Sequence, residues 1–152
     1  MAISAADVKK LREETGAGML DCKKALDEAG GDFVQAKEVL RKQGLARAEK
    51  KADRETKEGY IASYVHANNK VAALVELLCE TDFVARNEEF QALANNIALH
   101  VTALAPETVE ELLAQEYVKD PSTTVEELIK GLSGKIGEKF VLHRFVRYAV
   151  GE

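Results

Sequence analysis

Three features of the chain predict an α+β fold in two parts. Short helical repeats fill residues 4–43 and are interrupted by glycine-containing stops. Two runs of β-branched and aromatic residues, 60–66 and 70–80, flank an Asn-Asn pair. A long amphipathic pattern over 88–104 then separates that hairpin from a last β-rich run at 140–150. A hairpin joined by a distant strand makes a three-stranded antiparallel sheet, and the intervening helices pack on it. The 152 residues suit one ordinary domain or a small domain with a medium one.

The first part is expected over 1–45. Ser4 or Asp7 caps a helix carrying Ala6, Val8 and Leu11, which Thr15-Gly16 stops. Thr15 to Met19 form a tight turn with two glycines free to take positive φ. A second helix, Leu20 to Ala29, buries Leu20, Ala25, Leu26 and either Cys22 or the Lys23 stem. Asp32 caps a third, with Phe33, Ala36, Val39 and Leu40 inward, and Gly44 closes it. Three helices in about 40 residues make a core near the limit of independent stability. The bundle resembles ubiquitin-associated three-helix domains, whose first inter-helix turn contacts partners. That reading makes a protein or peptide adaptor the alternative function, and Met19 reads equally as a binding or a core residue.

Residues 46–57 are expected to link the parts. The run Arg47 to Lys57 alternates basic groups with Glu49, Asp53 and Glu55, as a solvated helical connector does. The second part then spans 58–152. With Asn68-Asn69 as a turn of left-handed residues, His66 faces Val71, Tyr64 faces Ala73 and Ala62 faces Val75. One sheet face then holds Tyr60, Ala62, Tyr64, Val71, Ala73, Val75 and Leu77. The other holds Ile61, Val65, Ala72, Leu74 and Leu78, so both faces are apolar enough to be covered.

In the long helix Phe90, Leu93, Ala94, Ile97, Ala98, Val101 and Leu104 form the inward stripe, and His100 lies off it as a surface residue. A short acidic helix runs from Pro106 through Gln115. Thr123 or Thr124 caps another with Val125, Leu128, Ile129 and Leu132, and Phe140 to Val150 form the last strand.

Charge divides the chain in the same place. Residues 1–57 carry 13 basic and 11 acidic groups, whereas 58–152 carry 8 and 15. An acidic body without a basic stripe argues against nucleic acid as a partner. No run reaches the roughly 18 apolar residues of a membrane span. No secretory leader pattern opens the chain and Cys22 and Cys79 match no metal or redox spacing, so a cytoplasmic protein with reduced thiols is expected. His66, His100 and His143 lack metal spacing, and no activated nucleophile or glycine-rich phosphate loop is evident. No cofactor and no enzymatic chemistry are expected.

The junction Cys79 to Asn87 joins strand to helix, where a scaffold often presents side chains to a partner. Spacing leaves two readings open there. Asp82 caps the next helix or meets a partner; Phe83 begins the helix core or stands exposed.

Two strings are more specific. Leu11-Arg12-Glu13-Glu14-Thr15-Gly16-Ala17-Gly18-Met19-Leu20-Asp21-Cys22-Lys23-Lys24-Ala25-Leu26 resembles the N-terminal motif of translation elongation factor Ts. Glu76 to Phe90, containing Thr81-Asp82-Phe83-Val84, resembles that family's second motif, and Gly134-Lys135-Ile136-Gly137-Glu138 resembles the element before its last strand. The resemblance covers nearly the whole chain. It departs in size: longer members carry a second core module and a coiled-coil excursion, and this chain has room for one module.

The resemblance implies a guanine-nucleotide exchange factor for elongation factor Tu that works by binding alone. It implies that Thr81, Asp82, Phe83 and Val84 disturb the partner's Mg²⁺ and phosphate site, with Phe83 exposed as a wedge. Arg12, Met19 and Leu20 would dock a helix of the same GTPase domain. A single module with two apolar sheet faces is expected to pair as a homodimer.

Overall fold

The computed structural model describes residues 2–152. Its first three helices are α1 (Ala5–Thr15), α2 (Met19–Glu28) and α3 (Phe33–Glu49). Ser4 is the cap of α1: its hydroxyl accepts the Asp7 N–H at 3.1 Å, and the Asp7 carboxylate accepts the Ser4 N–H at 3.2 Å. Gly16 ends that helix with φ 71°, while Gly18 keeps an ordinary negative φ, so one glycine rather than two takes the left-handed turn. Val8, Leu11, Cys22, Ala25, Leu26 and Ala36 form a small closed core, in which the Cys22 side chain is wholly buried. Leu20, expected inside, faces solvent.

The third helix does not stop at Gly44. It continues to Glu49 because Gly44 serves packing, not termination. A Cβ on Gly134 would lie 2.2 Å from the Gly44 carbonyl oxygen, so two backbones touch where α3 crosses α7 (Val125–Ile136). Arg41 pairs with Glu127 across the same crossing. Lys51 is buried beyond it, its ammonium 3.4 Å from the Ser133 carbonyl, and burial holds its pKa below the usual lysine value.

Strands β1 (Glu58–Val65), β2 (Val71–Cys79) and β5 (Val141–Ala149) form the antiparallel sheet in the order β1-β2-β5. Ala62 pairs with Val75 and Tyr64 with Ala73, as the sequence register requires. The turn differs in its residues. The Asn69 N–H donates to the His66 carbonyl at 2.8 Å, and Asn69 alone of the asparagine pair has positive φ. A bulge follows Glu76, where β5 places both His143 and Arg144 against that one carboxylate.

Helix α5 (Glu88–Leu104) covers one sheet face, burying Phe90, Leu93, Ala94, Ile97, Ala98 and Val101 against Ala73, Val75, Leu77 and Leu142. Each fully buried large apolar side chain contributes about 1.5–3 kcal/mol. Phe90 and Phe140 meet edge to face with ring centres 4.9 Å apart. The opposite sheet face is open: Ile61, Val65, Leu74 and Tyr148 are exposed.

His100 corrects its expected surface position. It is fully buried because α6 (Val109–Ala114) and a two-stranded ribbon, β3 (Glu116–Tyr117) and β4 (Asp120–Thr124), close over that side of α5. Its Nδ1 accepts the Val118 N–H at 3.1 Å, which leaves Nε2 to donate to Gln115 Oε1 at 2.9 Å. Burial lowers its pKa, and the Gln115 bond offsets part of that. The ribbon itself escaped the sequence pattern; Pro121 sits at its edge, where a missing N–H costs nothing.

Candidate functional site

Strand β2 ends at buried Cys79, whose thiol donates to the Thr81 carbonyl at 3.2 Å. Burial, with Glu138 nearby, pushes that thiol up to about 11, so it is no nucleophile at neutral pH. The chain then makes one helical turn, α4 (Asp82–Ala85). Its cap is Thr81, not Asp82: Thr81 Oγ1 accepts the Val84 N–H at 3.3 Å. Moving the cap back by one residue frees the Asp82 carboxylate, which lies on the surface paired with Arg86. Such an exposed pair holds the group loosely, contributing about 0–1 kcal/mol.

The turn divides its side chains sharply. Val84 and Ala85 are buried in the main core, and Phe83 is 81% exposed. Both ends of the turn are braced. Asn87 caps α5 by accepting the N–H groups of Glu89 and Phe90 at 2.8 and 3.1 Å, and Gln91 donates to the Ala85 carbonyl at 3.1 Å. On the other side the Glu138 carboxylate reaches Thr81. A large aromatic side chain is thus held out in water on a rigid support, the arrangement that suits an interface anchor.

The second predicted group stands on the N-terminal bundle. Arg12 lies in the last turn of α1 and is exposed. Across the turn Met19 and Leu20 are 55% and 64% exposed, which decides between the core and surface readings of Met19. The two groups border different cores: Thr81 to Val84 the main one, Arg12, Met19 and Leu20 the small one. Lys135 of α7 joins these regions. Its side chain lies over Gly16 in the α1–α2 turn, and its ammonium pairs with Glu89 at 2.8 Å. Among the described residues no group of three or more His, Cys, Asp or Glu side chains is placed to hold a metal ion. No described helix is long and apolar enough to cross a membrane.

The family model described as "Elongation factor TS" matches residues 80–152, beginning at the braced turn. Elongation factor Ts from Thermosipho melanesiensis is 46% identical over 99% of this chain and 100% of that relative. The chain belongs to the elongation factor Ts family. Elongation factor Ts from Aquifex aeolicus is 57% identical over 97% of this chain, but the match covers only 53% of the relative, so the chain spans about half that protein's length. A further elongation factor Ts, from Geobacter metallireducens, is 42% identical over the whole chain and 91% of its own length. The Thermosipho alignment runs over 195 positions against 152 residues here, so that elongation factor Ts carries a stretch this one lacks. Family membership places the chain in translation elongation.

Proposed function

We propose that this chain is the guanine-nucleotide exchange factor of elongation factor Tu and acts without covalent chemistry. The observation that carries the reading is Phe83, four-fifths exposed on a turn that Thr81 caps and that Val84 and Ala85 anchor in the main core. Phe83 enters an apolar slot of the GTPase, and Asp82 beside it exchanges Arg86 for groups around the partner's Mg²⁺ and phosphates. Mg²⁺ is held through few protein ligands and retains several waters, so disturbing its neighbours loosens it. With the ion displaced, the diphosphate is left beside acidic groups and departs.

Arg12, Met19 and Leu20 supply the second contact, on a helix of the same GTPase domain. The factor shifts nucleotide affinity only by its differential affinity for the two partner states, and nucleotide weakens factor binding equally. Each 1.4 kcal/mol of preference changes nucleotide affinity about tenfold. The open sheet face, with Ile61, Val65, Leu74 and Tyr148 exposed, supports a second copy of the chain as a further partner. Light scattering of the free factor tests that pairing.

Stopped-flow release of fluorescent GDP from elongation factor Tu tests the exchange reading. Phe83→Ala is expected to cost about 2 kcal/mol or more of productive binding, with the fold intact. Near-normal acceleration by that variant removes Phe83 from the mechanism.

A further inference from the structure

Phe83 is too exposed for its own packing to fix where its ring stands. The support lies behind the turn. Helix α7 ends at Gly137, whose φ of 95° is a left-handed conformation that glycine adopts freely. That reversal brings Glu138 to the end of β2, and the Ser133 hydroxyl donates to the Glu138 carbonyl, holding its backbone.

The Glu138 carboxylate accepts three hydrogen bonds. Oε1 takes the N–H groups of Glu80 and Thr81 at 3.0 and 3.1 Å, and Oε2 takes the Thr81 hydroxyl at 2.7 Å. In return Glu80 Oε1 accepts the Lys139 N–H at 2.9 Å, so the two segments clasp each other. Bonds to a carboxylate are shorter and roughly twice as strong as neutral ones. The hydroxyl bond has a second effect. With its proton directed at Glu138, Thr81 Oγ1 turns its lone pairs to the Val84 N–H and caps the turn.

We propose that Glu138 is a positioning residue for nucleotide exchange, setting the orientation of the Thr81 to Phe83 turn through which Asp82 and Phe83 act. The inference rests on the exchange reading above. Glu138 lies part-buried behind the turn and works through Thr81 and Glu80. Misplacing a reacting group by about 1 Å costs up to about a hundredfold in rate, so loss of the clasp is expected to show in the maximum rate rather than in encounter.

The test is stopped-flow GDP release from elongation factor Tu over a concentration series of the full chain. It compares the wild type with Phe83→Ala, Glu138→Ala, Glu138→Gln and the Glu138→Ala/Phe83→Ala double variant. Glu138→Ala is expected to lower the maximum rate about tenfold while changing the half-saturating concentration less than about twofold. Glu138→Gln keeps an oxygen for the two backbone N–H groups and is expected to recover most of the rate. In the Phe83→Ala background the Glu138→Ala change is expected to cost clearly less than it does alone, because only Asp82 is left on the turn to be misplaced.

A wild-type maximum rate for Glu138→Ala beside an impaired Phe83→Ala overturns the clasp and leaves the exchange reading standing. An equal further loss in the double variant also overturns it, because Glu138 then acts by another route. A fully active Phe83→Ala overturns the exchange reading and the role of Glu138 with it. Should Glu138→Ala fail to fold, Glu138→Asp withdraws the carboxylate by one methylene and keeps its charge, and an unchanged maximum rate there overturns the proposal.

Discussion

The crossing of α3 and α7 makes a sharp stability prediction, because two glycines on one helix are expected to respond with opposite signs. Alanine at Gly134 places its Cβ 2.2 Å from the Gly44 carbonyl oxygen and 2.7 Å from the Gly44 Cα. Real Cβ contacts of that length do not occur, and the obstacle is backbone inside a helix, so the helices must separate. Overpacking of this kind costs about 2–3 kcal/mol. Replacing a helical glycine by alanine returns about 1 kcal/mol of propensity. The net expectation for Gly134→Ala is a loss of about 1–2 kcal/mol, which for a chain of this size lowers Tm by about 2–8 °C. Gly131 lies one turn earlier in α7, and a Cβ there meets nothing within 4 Å. Gly131→Ala is therefore expected to gain about 0.5–1 kcal/mol and raise Tm by about 1–4 °C. Thermal and urea unfolding followed by circular dichroism measure both. Equal stabilisation by the two substitutions would falsify the close crossing of α3 and α7.

Other outcomes follow from the cores and the site. Phe90→Ala removes a fully buried ring packed on Phe140 and is expected to destabilise by about 3–5 kcal/mol in urea titration. His100 has its pKa lowered by burial, so the unfolded chain binds its proton more readily. Its contribution to stability is complete above the unfolded value of about 6.5 and declines as pH falls below it, toward the lower folded value. The wild type is expected to lose Tm as pH falls below about 6.5, and His100→Gln to show a flatter profile there whatever its absolute Tm. A parallel profile would contradict the assignment. Met19→Ala with Leu20→Ala, by contrast, trims exposed side chains and is expected to leave Tm within about 1–2 °C of the wild type. The same pair should weaken capture of nucleotide-free elongation factor Tu in a pull-down.

Much of the architecture was legible in the residues, and for identifiable reasons. The inward stripe of α5 and the pairing of Ala62 with Val75 follow from periods of 3.6 and 2, which a chain carries wherever one face is buried. The exposure of Phe83 was not legible from spacing, which favoured a core residue. It followed from resemblance, and the structure adds the reason: Thr81 takes the cap, so the turn begins one residue earlier and sends Val84 rather than Phe83 inward.

What the sequence by itself determined is local: which of the longer segments are helix or strand, which of their faces are apolar, and which two motifs name the family. Tertiary structure alone decided the rest. Gly44 looks like a helix end until Gly134 is seen against it. His100 looks like a surface residue until the ribbon at Glu116 to Thr124 covers it. Glu138 looks like one more charge in a loop until its carboxylate meets the N–H groups of Glu80 and Thr81, over fifty positions earlier in the chain. In each case the partner is remote in sequence, and periodicity reports only on neighbours within a turn or two of the same element.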